Sequence, residues 1–124
     1  MIPTETDKAP RPAGPYSQAT VAGNIVFVSG QIPIDPANGN MPGTIEEQTR
    51  IVLSNLKAIL KASNVKDDSI MSVTVYLSDI GDFHIMNSIY EGFFKKPYPA
   101  RSCVGVAALP KGSKIMVDAV GIVE

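Results

Sequence analysis

Ile25-Val26-Phe27-Val28 sets apolar side chains at successive positions. Side chains along a strand alternate between faces, so this strand is apolar on both and must be central or covered on both sides. Val75, Val104, Val106 and Val117, in further runs, are too apolar for a wet face and are expected on the sheet face that the helices leave open. Only two segments of the chain carry helical spacing, and two helices cover one face of a sheet. A mixed sheet with both helices on one face therefore leaves a second face too apolar to stay wet, and that face is expected to be buried by another subunit.

The elements read in the order β-β-α-β-α-β-β. Met1 to Pro15 holds Pro3, Pro10, Pro12 and Pro15 and is expected to be extended, with residues 1–8 frayed. Tyr16 to Ala22 and Ile25 to Gly30 read as strands around the hairpin signal Gly23-Asn24. Ile32 to Gly43, rich in Pro and Gly, reads as a long loop of the kind that often carries function. Thr44-Ile45-Glu46-Glu47 is a capping box, and Ile45, Thr49, Val52, Leu56, Ile59 and Leu60 follow it at helical spacing. Asn64 is a C-terminal stop. Ile70 to Leu77 reads as a strand with Met71, Val73, Val75 and Leu77 on one face. Asp79 or Asp82 caps a second helix bearing Phe83, Met86, Asn87, Tyr90 and Phe94, which Pro97 and Pro99 end. Arg101 to Ala107 and Ser113 to Ile122 are strands joined through Pro110-Lys111-Gly112. No internal repeat is present, and 124 residues fit one domain, 1–124.

Composition narrows the function classes. Net charge is −1, and the one adjacent basic pair, Lys95-Lys96, reads as solvated loop, so nucleic acid is not expected as a partner. Cys103 is the single cysteine, so no intrachain disulfide can form and a reducing, cytoplasmic setting is allowed. Met1 to Pro15 lacks the apolar core of a secretory signal. No apolar stretch approaches the roughly 18 residues of a membrane span, so no membrane partner is expected.

The residue with most chemistry is Arg101, at the start of an apolar strand. A guanidinium there is costly unless something anionic meets it, and its planar fork suits a carboxylate held by two parallel hydrogen bonds. A small carboxylate ligand and a structural ion pair with an Asp or Glu elsewhere both satisfy that demand, and the ion pair is the commoner use. Alternation puts Arg101, Cys103 and Gly105 on one face and Ser102, Val104 and Val106 on the other. Cys103 as a nucleophile would want His84, the only imidazole, but no carboxylate stands at a telling offset from it, and a buried inert thiol is the commoner case. One His and one Cys make no metal set. There is no phosphate loop and no serine elbow. Asn87 on the inner face of the second helix either fastens a loop or contacts a ligand.

Five motifs occur in order: Gly14-Pro15-Tyr16-Ser17-Gln18-Ala19, Ser29-Gly30-Gln31-Ile32-Pro33, Asn87-x-x-Tyr90-x-x-Phe93-Phe94, Pro99-Ala100-Arg101-Ser102 and Ala108-Leu109-Pro110-Lys111-Gly112. Together they resemble the RidA (YjgF, L-PSP) family of reactive-intermediate deaminases, from about Ala9 to the C-terminus. The resemblance implies a chorismate-mutase-like α+β fold and a homotrimer with three clefts between subunits. It also implies hydrolysis of 2-enamines and 2-imino acids, such as 2-aminoacrylate and 2-iminobutanoate, to 2-keto acids and ammonia. These substrates would come from PLP-dependent dehydratases, and the enzyme would carry no cofactor of its own and no metal. Arg101 and Cys103 fall at the family's catalytic positions. Arg101 would hold the substrate carboxylate, and Gly30 and Cys103 would give backbone hydrogen bonds. Tyr16, Ser29 and Asn87 fall at positions lining the cleft.

One position departs from the family pattern. Ile115-Met116-Val117-Asp118-Ala119 stands where the family reads like Ile-Glu-Ile-Glu-Ala, so Met116 replaces the carboxylate that orients the attacking water. A thioether is a poor acceptor and no base. Asp118 shares the strand face of Met116 but lies about 6.5 to 7 Å further along. The pocket is therefore expected to bind small carboxylates, with deaminase activity weakened or narrowed. Two alternatives from other classes are a non-catalytic sensor of 2-keto or 2-imino acids and an RNA-cleaving translation inhibitor of the L-PSP type. The acidic balance and the missing His–Glu or Lys–His site speak against the latter.

Overall fold

The computed structural model describes residues 1–124. Six strands form one mixed sheet in the order β1-β2-β3-β6-β4-β5. The strands are β1 (Ile2–Thr4), β2 (Ala19–Ala22), β3 (Ile25–Gln31), β4 (Val65–Leu77), β5 (Ala100–Gly105) and β6 (Ile115–Val123), and the helices are α1 (Ile45–Ala62) and α2 (Phe83–Phe93). All neighbours are antiparallel except β4 and β5. Both helices pack on one sheet face, as the periodicity demanded. No helix is long and apolar enough to cross a membrane.

Local chemistry explains the element ends. Thr44 Oγ1 accepts from Glu47 N at 3.2 Å and starts α1. Asn64, at φ 62, ends it and turns the chain straight into β4, which begins at Val65 rather than near Ile70. Gly23, at φ 60, opens the two-residue β2–β3 turn, where a side chain would strain the backbone. Asp79 Oδ1 accepts from Gly81 N at 2.8 Å and caps a short 3-10 turn, and α2 follows from Phe83 with no side-chain cap. The loop after β3 is tied down by buried amides. Asn55 Nδ2 donates to Ile34 O, Gln48 Nε2 donates to Pro42 O, and Gln48 Oε1 accepts from Lys114 N.

Three expectations need correction. Residues 1–8 are not all frayed: β1 pairs with β2, and Thr4 Oγ1 and Ser63 Oγ share a hydrogen bond of 2.8 Å, so the order gains an N-terminal strand. A three-residue strand carries no periodic signal, and this one is defined by its pairing with the edge of β2. Met71 does not join Val73, Val75 and Leu77. A register shift between Ile70 and Ser72 inserts one extra residue into β4, which buries Ile70 and leaves Met71 exposed. Val75 and Val117, expected on the second face, lie under the helices with no exposure at all. The second face is apolar through other residues. Phe27 is 49% exposed, Val104 43% and Ile25 37%, with Val120, Ile122 and Met116 half-buried beside them.

Candidate functional site

Arg101 projects from β5 on the helix side of the sheet, since its register partner Val73 is fully buried there. Its guanidinium lies between two α2 rings, 4.6 Å from the centroid of Tyr90 and 5.6 Å from that of Phe83. Arg101 Nη1 donates to Asn87 Oδ1 at 2.7 Å. No carboxylate in the chain reaches it: the ion pairs are Arg11–Asp7 and Lys57–Asp67. The structural ion pair considered from the sequence is therefore not formed within the chain. Asn87 fastens the guanidinium, and four of its five N–H donors stay unused by the chain. A cavity of about 390 Å³ opens there, lined by Asn87, Tyr90, Glu91, Tyr98, Pro99 and Arg101.

The rings on either side of Arg101 escaped the sequence reading as site residues. The sequence places both on the broad face of the second helix, and Tyr90 in a family motif, while the i, i+4 and i+7 spacing of Phe83, Asn87 and Tyr90 puts them on one stripe. Tyr90 Oη is the one buried side-chain polar atom without a hydrogen-bond partner. Burial pushes the Tyr90 hydroxyl up to about 12, against a smaller opposing pull from Arg101.

Cys103 follows two residues along β5 on the Arg101 face but does not line that cavity. Burial pushes its thiol above the ordinary range, and the opposing pull of Arg101 is smaller. Such a thiol stays protonated near neutrality and is no nucleophile. His84 sits exposed on α2 and forms no hydrogen bond to it. No cluster of His, Cys, Asp and Glu is arranged to hold a metal.

The remaining candidates gather elsewhere. A second cavity, of about 290 Å³, includes Tyr16, Gly30, Gln31 and Lys111 in its lining. Tyr16 is half-exposed, and its hydroxyl accepts from Ala13 N at 3.3 Å. Ser29 Oγ donates to Ser17 O at 2.6 Å, which couples β3 to the Tyr16 segment. Buried Gln18 anchors that segment from the other side: its amide nitrogen donates to Thr6 O and Pro10 O, and its oxygen accepts from Thr6 N. Met116 is the register partner of Tyr76 and faces away from the helices. A Cβ built on Gly30 would lie 2.9 Å from Met116 Sδ, so this thioether rests on the Gly30 backbone and a side chain at 30 would displace it.

One chain thus holds two half-sites. Arg101, Asn87 and Cys103 belong to the helix side of an edge strand. Gly30 and Met116 belong to the open side, with β4 and β6 between the β5 and β3 strands that carry Arg101 and Gly30. Strands lie about 4.8 Å apart, so within one chain the two sets cannot close on one small molecule.

Comparison with known proteins places this architecture. The family model described as endoribonuclease L-PSP matches residues 6–123. The RutC family protein of Pyrococcus horikoshii is 48% identical over 120 residues, covering 96% of this chain and 95% of that protein. The 2-iminobutanoate/2-iminopropanoate deaminase of Escherichia coli is 42% identical over 120 residues, covering 94% of each. The crystal structure of Escherichia coli TdcF with bound serine superposes with a TM-score of 0.95 at 38% identity, covering the whole of both chains.

Proposed function

The chain belongs to the endoribonuclease L-PSP family, the one its motifs resemble, and from that membership we propose that it is a hydrolytic deaminase of reactive 2-enamines and 2-imino acids. The products are 2-keto acids and ammonia, and the role is control of metabolite damage downstream of PLP-dependent dehydratases. The observation that carries the reading is Arg101, a guanidinium oriented by Asn87 and two rings with no ion pair in its own chain. A 2-imino acid supplies the counter-charge as a carboxylate. The relative crystallised with serine, a small amino acid, supports the same ligand class.

The working unit in this reading is a homotrimer of single-domain chains with clefts between subunits. Two features support it. The half-sites cannot meet within one chain, and the open sheet face exposes Phe27, Val104 and Ile25. In each cleft, Arg101 of one copy grips the carboxylate, with the backbone of Cys103 beside it. Tyr16, Ser29, Gly30 and Met116 of the neighbouring copy close over C2 and the imine nitrogen. A protonated imine is already electrophilic at C2, so orienting it beside a water supplies much of the rate. Met116 contributes no proton acceptor, which weakens turnover by an amount that reaches 10²–10⁴-fold where a general base is lost altogether.

The test is semicarbazide trapping of imines released by a dehydratase, with wild type, Arg101→Ala and Met116→Glu side by side. Wild type speeds imine loss, Arg101→Ala loses about 10³-fold in kcat/KM with its two charge-assisted bonds, and Met116→Glu gains. Unchanged turnover in Arg101→Ala would sink the pocket assignment. The same Met116 thioether favours a second reading, a sensor of 2-keto acids. Wild type that binds 2-ketobutyrate without consuming imine would put that reading first.

A further inference from the structure

We propose that Asp118, held in place by Tyr76, is the carboxylate that orients and deprotonates the attacking water in this protein. The inference rests on the deaminase reading and adds a residue to it. Asp118 projects from β6 on the open face, because its neighbours Val117 and Ala119 are buried under the helices. The β3–β6 ladder pairs Val28 with Ala119 and Gln31 with Val117. Two residues of β3, Ser29 and Gly30, therefore face the single residue Asp118 across a bulge. Bulges re-aim side chains and expose backbone, and this one sets the carboxylate against the two β3 positions of the candidate pocket. Asp118 lies two residues beyond Met116 on β6. Met116 Sδ is the atom nearest a Cβ built on Gly30, and the bulge sets both Ser29 and Gly30 across the ladder from Asp118.

Tyr76 supplies the orientation. It stands across from Met116 on β4, and its hydroxyl donates to Asp118 Oδ2 at 2.9 Å. That bond, more than burial, holds the Tyr76 hydroxyl above its ordinary range, so it remains a donor near neutrality. Asp118 Oδ1 accepts no bond within the chain and is left for water. Met116 lies between Tyr76 and Gly30 and provides a dry wall with no competing acceptor.

The proton balance closes without a cofactor. Water oxygen bonds to C2 of the protonated imine while one water proton passes to Asp118, and the C–N π pair moves to nitrogen. Asp118 returns that proton to the amine. It then takes the hydroxyl proton as the carbonyl forms, and the C–N bond pair leaves with ammonia. Tyr76 is a positioning residue in this scheme and does not exchange a proton.

The experiment measures kcat and KM for 2-iminobutanoate in wild type, Asp118→Asn, Tyr76→Phe and the double variant Met116→Glu/Asp118→Asn, with 2-ketobutyrate binding measured on each by calorimetry. Asp118→Asn should lose about 10²-fold in kcat with KM and binding little changed. Tyr76→Phe should lose about tenfold in kcat, one charge-assisted hydrogen bond's worth, with KM unchanged. Met116→Glu in the Asp118→Asn chain should restore turnover by putting a carboxylate back on the same floor. Asp118→Asn within twofold of wild type overturns the inference. So does a loss that Met116→Glu cannot restore, which would mark Asp118 as structural. A wild type that binds 2-ketobutyrate but consumes no imine overturns this inference together with the deaminase reading. Turnover that depends on Arg101 but not on Asp118 overturns this inference alone.

Discussion

The two faces of the sheet are made of similar residues and have different fates. Val73, Val75, Val117 and Ile115 are fully buried beneath α1 and α2, while Phe27 and Val104, on the opposite face, are close to half exposed. The difference lies in what is available to cover each face. Two helices suffice for one, and the chain has nothing left for the other. Large apolar side chains grouped on an uncovered face are what the proposed assembly would bury. The half-sites follow the same division, with Arg101 on the covered side and Gly30, Met116 and Asp118 on the open one.

Substitutions on the two faces should separate stability from assembly. Leu56→Ala, in the covered core, should cost about 3 kcal/mol in chemical denaturation, as cavity-forming changes do. Phe27→Asp, on the open face, should leave the stability of the isolated chain nearly unchanged and convert the proposed trimer to monomer in analytical ultracentrifugation, with the proposed imine turnover lost. If Phe27→Asp stays trimeric, the assembly uses another surface.

Tyr90 probes the covered side, beside Arg101. Its buried hydroxyl lacks a partner, so Tyr90→Phe should be neutral or raise stability by about 1 kcal/mol. The same residue sets an alkaline limb. Its hydroxyl is raised from 10.0 to about 12 in the folded chain, so the unfolded chain loses its proton first. Stability is full below pH 10.0 and falls through about pH 12. Tyr90→Phe should flatten that limb in urea titrations at a series of alkaline pH values. A destabilised Phe variant would mean the hydroxyl has a bonded water. The smallest effect belongs to α1's start, where Thr44→Ala should cost about 1 kcal/mol and leave assembly untouched.

Much of this was legible beforehand because it depends on nearest neighbours. The capping box at Thr44, the stop at Asn64, the turn at Gly23 and the shared face of Arg101 and Cys103 follow from local chemistry and from the alternation of a strand. The second sheet face is apolar, as expected, but through Phe27, Val104 and Ile25 rather than Val75 and Val117. Alternation says which residues share a face, not which face the helices take. Asp118 was legible as a residue and not as a neighbour of Gly30, because spacing along one strand is silent about a bulge in the next.

The sequence by itself determined the element types, the caps, the family through five ordered motifs, and an arginine that needs an anion. Those are properties of residues and their immediate neighbours, and they survive without knowledge of the rest of the chain. The tertiary structure alone decided that no carboxylate of the chain meets Arg101, that Phe83 and Tyr90 flank it, and that Met116 rests on Gly30. It also decided that Tyr76, 42 residues away, bonds Asp118. Each of these depends on strand register and on which strands become neighbours, and register is settled by the packing of the whole sheet rather than by any one segment of it.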